Sequence, residues 1–554
     1  MIKFMILIIV LLSIYSLKIV NGEEDWYVHW FNDQLNEIID EPKPLKIEGN
    51  IPSYIEGRLM RVGPTQIRTD ARNYTNYLDG FGRISSWIID GKNNQVNFLS
   101  SILKTNLFNA SKPVDNVASE IARHITQEPT DSKTRIGAFS LDNMDNTDVN
   151  VYKFKGESKI ITMTDFYKAT EIDQNSLRTL GSMETTFKFD MPKMSTFSGS
   201  HPGQWYDPVA NEDVMVNWLG SKGATDFKLS IYTMSSSREI VSRGRVSLPF
   251  QPYSIHSIAV AGNYALVTLG PVKLDFLKTG ATLCVSCSAD DKFGKEPTRI
   301  YVFDLLKSHK EDNKEEKGDA PPIAIIEMPI EDSVFVFHHI NAQVHNENEV
   351  SLDYCGYSST DGWLGEHVLG NINDVMQPEV RDDMNYLCDS YTRVTIDVKN
   401  NKFLTRTDYP MVDNKGNKYH WELSSINPNY WGKDYCYAYG TTYHMAGSSR
   451  YEDTGIIKID RCVAEKVINN NNNGDTTTIP ATFYEEGRYT GEPIFVPNPN
   501  PSSEDDGTVL VVTRFQDTSS LLMLDGKTLN KVASVEAPFP LVFEFHGAFF
   551  PGLE

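Results

Sequence analysis

From about residue 45 onward the chain is dominated by short runs in which apolar and polar residues alternate, separated by Gly, Pro, Asn and Asp. Such runs predict strands, because successive side chains on a strand point to opposite faces and the intervening residues are those that turns require. One phrase recurs: an apolar alternation that ends in Asp and then turns. It reads Tyr301-Val302-Phe303-Asp304, Val394-Thr395-Ile396-Asp397, Ile457-Lys458-Ile459-Asp460 and Leu522-Met523-Leu524-Asp525, with a shorter form at Glu171-Ile172-Asp173. Asp397, Asp460 and Asp525 are spaced by 63 and 65 residues. That interval suits one four-stranded propeller blade with its loops, and roughly 500 residues would make about seven of them. The period is ragged, so the pattern alone leaves a propeller and other large β architectures open.

Candidate chemistry stands at the ends of these runs. Phe337-His338-His339-Ile340-Asn341-Ala342 leaves an apolar run with two adjacent histidines. On a strand they point to opposite faces, so at most one can aim at a common centre. Three further histidines have similar settings beside Gly, Pro or Asn. They are His201 in Ser200-His201-Pro202-Gly203, His256 in Ile255-His256-Ser257-Ile258, and His546 in Phe545-His546-Gly547.

These phrases, in this order, resemble the four iron-ligand segments of the carotenoid cleavage oxygenase family. The opening resembles it too, through Leu45-Lys46-Ile47-Glu48-Gly49, then Gly57-Arg58-Leu59-Met60-Arg61-Val62-Gly63-Pro64 and Leu78-Asp79-Gly80-Phe81-Gly82. The resemblance runs from about residue 43 to the C-terminus. It implies an all-β, seven-bladed propeller with a four-histidine iron site on its axis and a loop and helix cap above it. The iron(II) ligands would be His201, His256, His338 and His546. His338, three residues before Asn341, is the expected ligand of its pair, and His339 is not.

Four neutral imidazoles suit a divalent first-row metal. Zinc closed by histidine alone would be unusual, whereas iron(II) would keep positions open for dioxygen and substrate. Such a shell carries no charge of its own, so carboxylates are expected on the far ring nitrogens, fixing tautomer and orientation. By the resemblance, Glu422 in His420-Trp421-Glu422 supports His338, and Glu492 in Gly491-Glu492-Pro493 supports His546. The third supporting position, for His256, carries Asp165, where the family has glutamate. One methylene shorter, Asp165 is expected to make a stretched or water-bridged contact, and to be buried near the metal if it orients His256. The implied reaction is insertion of both atoms of dioxygen across one conjugated C=C bond of a carotenoid or apocarotenoid. Its partners are dioxygen and a hydrophobic polyene, with peripheral membrane contact as a route to the latter. The alternatives are a dioxygenase for stilbene-like phenylpropanoids and, from a different class, a secreted propeller that binds without turnover.

Composition narrows this further. A net charge of −22 over 554 residues excludes a nucleic-acid binder, which needs clustered Lys and Arg. Residues 1–22 read as a signal peptide, with Lys3, the apolar run Phe4–Leu17 and a small-residue end at Val20-Asn21-Gly22. An uncleaved anchor is the alternative, although the run is short of the roughly twenty residues of a span. Residues 23–44 then form an N-terminal segment packed on the body, and 45–554 the propeller. Asn73-Tyr74-Thr75 and Asn109-Ala110-Ser111 are glycan acceptors if the chain is secreted. Six cysteines (Cys284, Cys287, Cys355, Cys388, Cys436, Cys462) permit disulfides without choosing their pairing. Cys284-Val285-Ser286-Cys287 has no second such pair and is not read as a zinc site. Residues 101–135 are expected to be an insert near the substrate entrance with a short helix at 117–124. Lys307–Ala320 is read as a charge-rich loop and the asparagine tract 469–473 as disordered on composition.

Overall fold

A computed structural model describes residues 29–30, 38–66, 77, 80–110, 145–187, 195–223, 226–275, 289–307, 320–357, 388, 390–442, 454–470 and 477–553. Seven sheets of four to six strands succeed one another along the chain, with one two-stranded ribbon beside them. They are the seven blades of a propeller. Their innermost strands are His546–Pro551 (blade 1), Asn150–Tyr152 (blade 2), Ser195–Ser198 (blade 3) and Ala259–Ala261 (blade 4). Phe335–Val344, Glu422–Ile426 and Arg488–Pro497 serve blades 5, 6 and 7. Blade 1 closes the ring, since His546–Pro551 pairs antiparallel with Glu56–Gln66. Ile39–Pro44, placed with the N-terminal segment by the sequence reading, is the outer strand of this same blade.

The core is divided among seven seams, one between each pair of neighbouring blades. Val509, Val511, Leu522 and Leu524 of blade 7 pack toward Tyr439 and Ile456 of blade 6. Their alternating neighbours Leu510, Val512, Leu521 and Met523 pack toward Leu59, Trp87 and Ile89 of blade 1. A blade is therefore covered on both faces, which is why stretches of its middle strands, such as 509–512 and 521–524 in blade 7, read as unbroken apolar runs. At roughly 25 cal/mol per Å² of apolar surface removed from water, this double burial is the main stabilising term.

The recurrent Asp phrase is the third strand of a blade, counted from the axis. Asp173, Asp304, Asp397, Asp460 and Asp525 end such strands, and each side chain accepts a backbone N–H two or three residues on, at 2.8–3.0 Å. Asp90 does the same in blade 1, a sixth copy. This is the Asx turn, in which aspartate substitutes for a backbone acceptor. Four residues after Asp90, Asp173, Asp397 and Asp525 the chain turns left-handed, at Asn94, Leu177, Asn401 and Leu529. Blade 3 departs from the pattern, since its third strand, Phe227–Met234, ends without an acid.

Two cysteine outcomes are seen among the described residues. Cys436 and Cys462 form a disulfide, while Cys355 and Cys388 are buried and unbonded. The Cys284/Cys287 pair, the signal segment, Asn73, the helix at 117–124 and most of 307–320 and 469–473 lie outside the described residues.

Candidate metal centre

Each of the seven blades brings a polar side chain to the centre, from its inner strand or from a residue close to one. His546 stands at the start of the blade 1 strand, and His201 follows the blade 3 strand. His256 precedes the blade 4 strand and His338 lies within that of blade 5. One nitrogen from each of the four lies within 4.8 Å of the others. Ring centroids are 4.2 Å apart for His201 and His546, and 4.9 Å for His256 and His338. The glycine after His546 is dictated by this closure. A Cβ at Gly547 would sit 2.3 Å from the Met60 carbonyl oxygen, so only glycine lets the last strand lie against Glu56–Gln66.

Blades 6, 7 and 2 supply the supports. Glu422 opens the inner strand of blade 6, and its Oε2 accepts from His338 Nδ1 at 2.7 Å. The same oxygen takes the Leu423 N–H at 2.8 Å, and Oε1 takes the Tyr357 hydroxyl at 2.6 Å. In blade 7 a register shift between Thr490 and Pro493 turns Glu492 inward. Its Oε1 accepts from His546 Nδ1 at 2.8 Å, while Oε2 takes Arg61 Nη1 at 2.7 Å and the Gly547 N–H at 3.0 Å. Asp165 follows the second strand of blade 2, and both its oxygens lie 2.9 Å from His256 Nδ1.

Asp165 differs from expectation in two ways. Its contact is direct, neither stretched nor bridged, and its side chain is 37% exposed, neither buried nor deep. The backbone explains the reach. Phe166 bridges to Phe197, and the Asp165 carbonyl accepts the Ser198 N–H at 3.1 Å. These pins draw the loop against blade 3 and make up for the missing methylene.

Burial shapes the electrostatics. It pushes His201 well below the ordinary imidazole range, with the neighbouring His546, His256 and His338 adding to the effect. It pushes His546 down to about 4, against the pull of Glu492. His256 is likewise lowered by burial, with Asp165 pulling the other way. Burial alone would raise the Glu422 and Glu492 carboxyls. The facing imidazoles and the remaining donors outweigh it, and both end below the usual range. The arrangement is one of neutral rings held by ionised carboxylates. Because each carboxylate takes an Nδ1–H, the Nε2 lone pairs of His256, His338 and His546 are left for the centre, and the buried Nε2 atoms of His201 and His338 have no hydrogen-bond partner. Four convergent imidazoles, three of them with the tautomer fixed by a carboxylate, fit a divalent first-row ion.

His339 faces elsewhere. Its Nδ1 contacts Ser257 Oγ at 2.7 Å and its Nε2 contacts Thr268 Oγ1 at 3.0 Å. Three participants escaped the sequence reading. Asn150 contacts His201 Nδ1 at 3.2 Å through its amide nitrogen, so His201 has an amide where the others have carboxylates. Tyr357 shares Glu422. Arg61, buried at 1% exposure, joins Glu492 to the Glu544 and Phe545 carbonyls. Arg61 lies in the Gly57–Pro64 phrase, the one available signal; nothing in the sequence marks the other two.

The family model for retinal pigment epithelial membrane protein matches residues 31–551. A mitochondrial carotenoid-cleaving dioxygenase of Macaca fascicularis is 23% identical, covering 91% of each chain. The β,β-carotene 15,15′-dioxygenase of Mus musculus is 24% identical over 92% of this chain and 89% of its own. Among solved structures, cobalt-substituted Synechocystis ACO superposes with a TM-score of 0.71 at 18% identity, over 95% of this chain and 99% of that one. The family match takes in all seven blades and all four clustered histidines, and on that basis this chain belongs to the retinal pigment epithelial membrane protein family.

Proposed function

We propose that the chain is a non-haem iron(II) dioxygenase that cleaves one conjugated C=C bond of a carotenoid or apocarotenoid. The alkene and dioxygen together give two carbonyl products, one oxygen atom in each. The observation that carries this reading is the set of four convergent imidazoles, three of them with Nδ1 held by Asp165, Glu422 and Glu492. Iron(II), when bound by His201, His256, His338 and His546, supplies the chemistry of dioxygen. The protein's own part is positional. The carboxylates keep the proton on Nδ1, and their charge offsets that of a divalent ion. Tyr357, Leu423, Gly547 and Arg61 keep Glu422 and Glu492 from turning away. Relatives named for carotenoid cleavage support the substrate class.

The test has two arms. His338→Ala is expected to lose bound iron, while His339→Ala keeps one equivalent under saturating iron; equal loss in two folded variants rejects the ligand set. Incubation with carotenoids, apocarotenals and stilbenes under ¹⁸O₂ should give carbonyl products that both carry label from a carotenoid-class substrate. Stilbene cleavage alone would move the substrate to phenylpropanoids, and iron binding without oxygen uptake would leave a binding propeller.

We also infer passage through the secretory route, supported by the apolar segment after Lys3 and by the Cys436–Cys462 disulfide, a bond typical of oxidising compartments. Asn109 is exposed, as a glycan acceptor must be. Protein from the native host should begin near Glu23 and carry a glycan on Asn73 or Asn109. An intact Met1 with no glycan would reject this.

A further inference from the structure

The inner strand of blade 5 is bulged twice, between Val336 and His339 and again between His339 and Asn341. Bulges re-aim side chains, and here two adjacent histidines end up serving different centres. His338 turns to the axis and His339 to blade 4. A bulge also leaves backbone groups that need partners. Ser257, the residue after His256, supplies them. Its hydroxyl donates to the Phe337 carbonyl at 2.8 Å, and its oxygen accepts the His339 N–H at 3.0 Å.

With the one hydroxyl proton spent on Phe337, the 2.7 Å contact between Ser257 Oγ and His339 Nδ1 has the ring N–H as donor. That tautomer leaves His339 Nε2 as an acceptor, and Thr268 of blade 4 offers it a hydroxyl at 3.0 Å. Every polar atom of the trio is thereby used. The Phe337 ring lies flat on His256, with centroids 3.8 Å apart and planes 7° from parallel. So the residue after one axial histidine grips the residues on both sides of another.

We propose that Ser257 and His339 are a positioning couple that fixes the separation and relative tilt of His256 and His338. This rests on the reading of the four histidines as a metal site. The couple touches no reacting atom. It holds blades 4 and 5 in register at the one point where each contributes an imidazole, so loosening it lets the two rings shift relative to one another.

Cobalt(II) is the probe, since its d–d absorption reports ligand geometry. Wild-type apoprotein should take up one equivalent with a defined spectrum; failure to bind would sink the metal-site reading itself. Ser257→Ala should then bind cobalt about 10–100-fold more weakly, the range for lost outer partners of a metal ligand, with a displaced d–d band and unchanged circular dichroism. Thr268→Val, which removes only the hydroxyl facing His339 Nε2, should displace the band in the same direction by less. A purely structural role for the trio would lower the melting temperature and leave the spectrum in place. Folded Ser257→Ala with wild-type affinity and spectrum overturns the proposal. If Ser257→Ala does not fold, an unmoved spectrum in Thr268→Val overturns it instead.

Discussion

Glu422 and Glu492 hold their histidines differently from Asp165. The two glutamate side chains are 8% and 9% exposed, and each carries at least two further donors besides its imidazole. Asp165, at 37% exposure, turns both oxygens on one nitrogen and borrows its position from the backbone pins to Phe197 and Ser198. A buried carboxylate that loses its charge strands its partners, whereas a half-exposed one can be replaced in part by water. The depth of each support, more than its distance from the ring, should therefore decide how much it contributes.

That difference can be broken by a graded series. Glu492→Gln is expected to be the most damaging, because it leaves Arg61 as a buried cation without its nearest partner. Breaking such a pair typically costs about 3–5 kcal/mol, visible in urea unfolding of the apoprotein. A loss below about 1 kcal/mol would mean that Glu544, 3.9 Å from Arg61 Nε, suffices alone. Next comes Glu422→Gln, which sets an amide against the His338 Nδ1–H and the Leu423 N–H. It should cost about 1–3 kcal/mol of stability and about 10–100-fold in iron affinity, read by chelator competition. Asp165→Asn should fall near the lower end, about tenfold in iron affinity, with little change in unfolding. Should it exceed Glu422→Gln, depth is not what sets the contribution. The smallest change belongs to Asp165→Glu, whose extra methylene has room on the exposed side. Iron should dissociate from it no faster than from wild type, and faster loss than from Asp165→Asn would show that the pinned loop admits only the shorter acid.

Much of the architecture was legible because local chemistry enforces it. The Asp that ends a third strand is visible as a repeat since the same turn needs the same side chain in blade after blade. Trp87-Ile88-Ile89-Asp90 carries the same phrase in blade 1, and two buried serines precede it, of which Ser85 meets Glu544 at 2.6 Å. The four histidines and both glutamates were reached through resemblance, and their settings match a site that has to be built from several blades at once. What stayed illegible depends on relations between distant strands. The reach of Asp165 is decided by residues 197–198, the further donor to Glu422 is Tyr357, and the partners of His339 are Ser257 and Thr268 of blade 4. None of these leaves a mark in a single stretch of sequence.

The closing strand has a consequence in time. His546 belongs to a strand whose partner, Glu56–Gln66, is synthesised some 480 residues earlier. At about 5–20 residues per second that is roughly 25–100 s of translation. Throughout that interval the inner edge of the first blade is unpaired, the kind of edge that invites association with another chain. The imidazole that completes the axial cluster arrives in the same stroke that covers the edge. Metal loading and ring closure thus share one late step, and a ribosome stalled before that strand would hold a chain short of both.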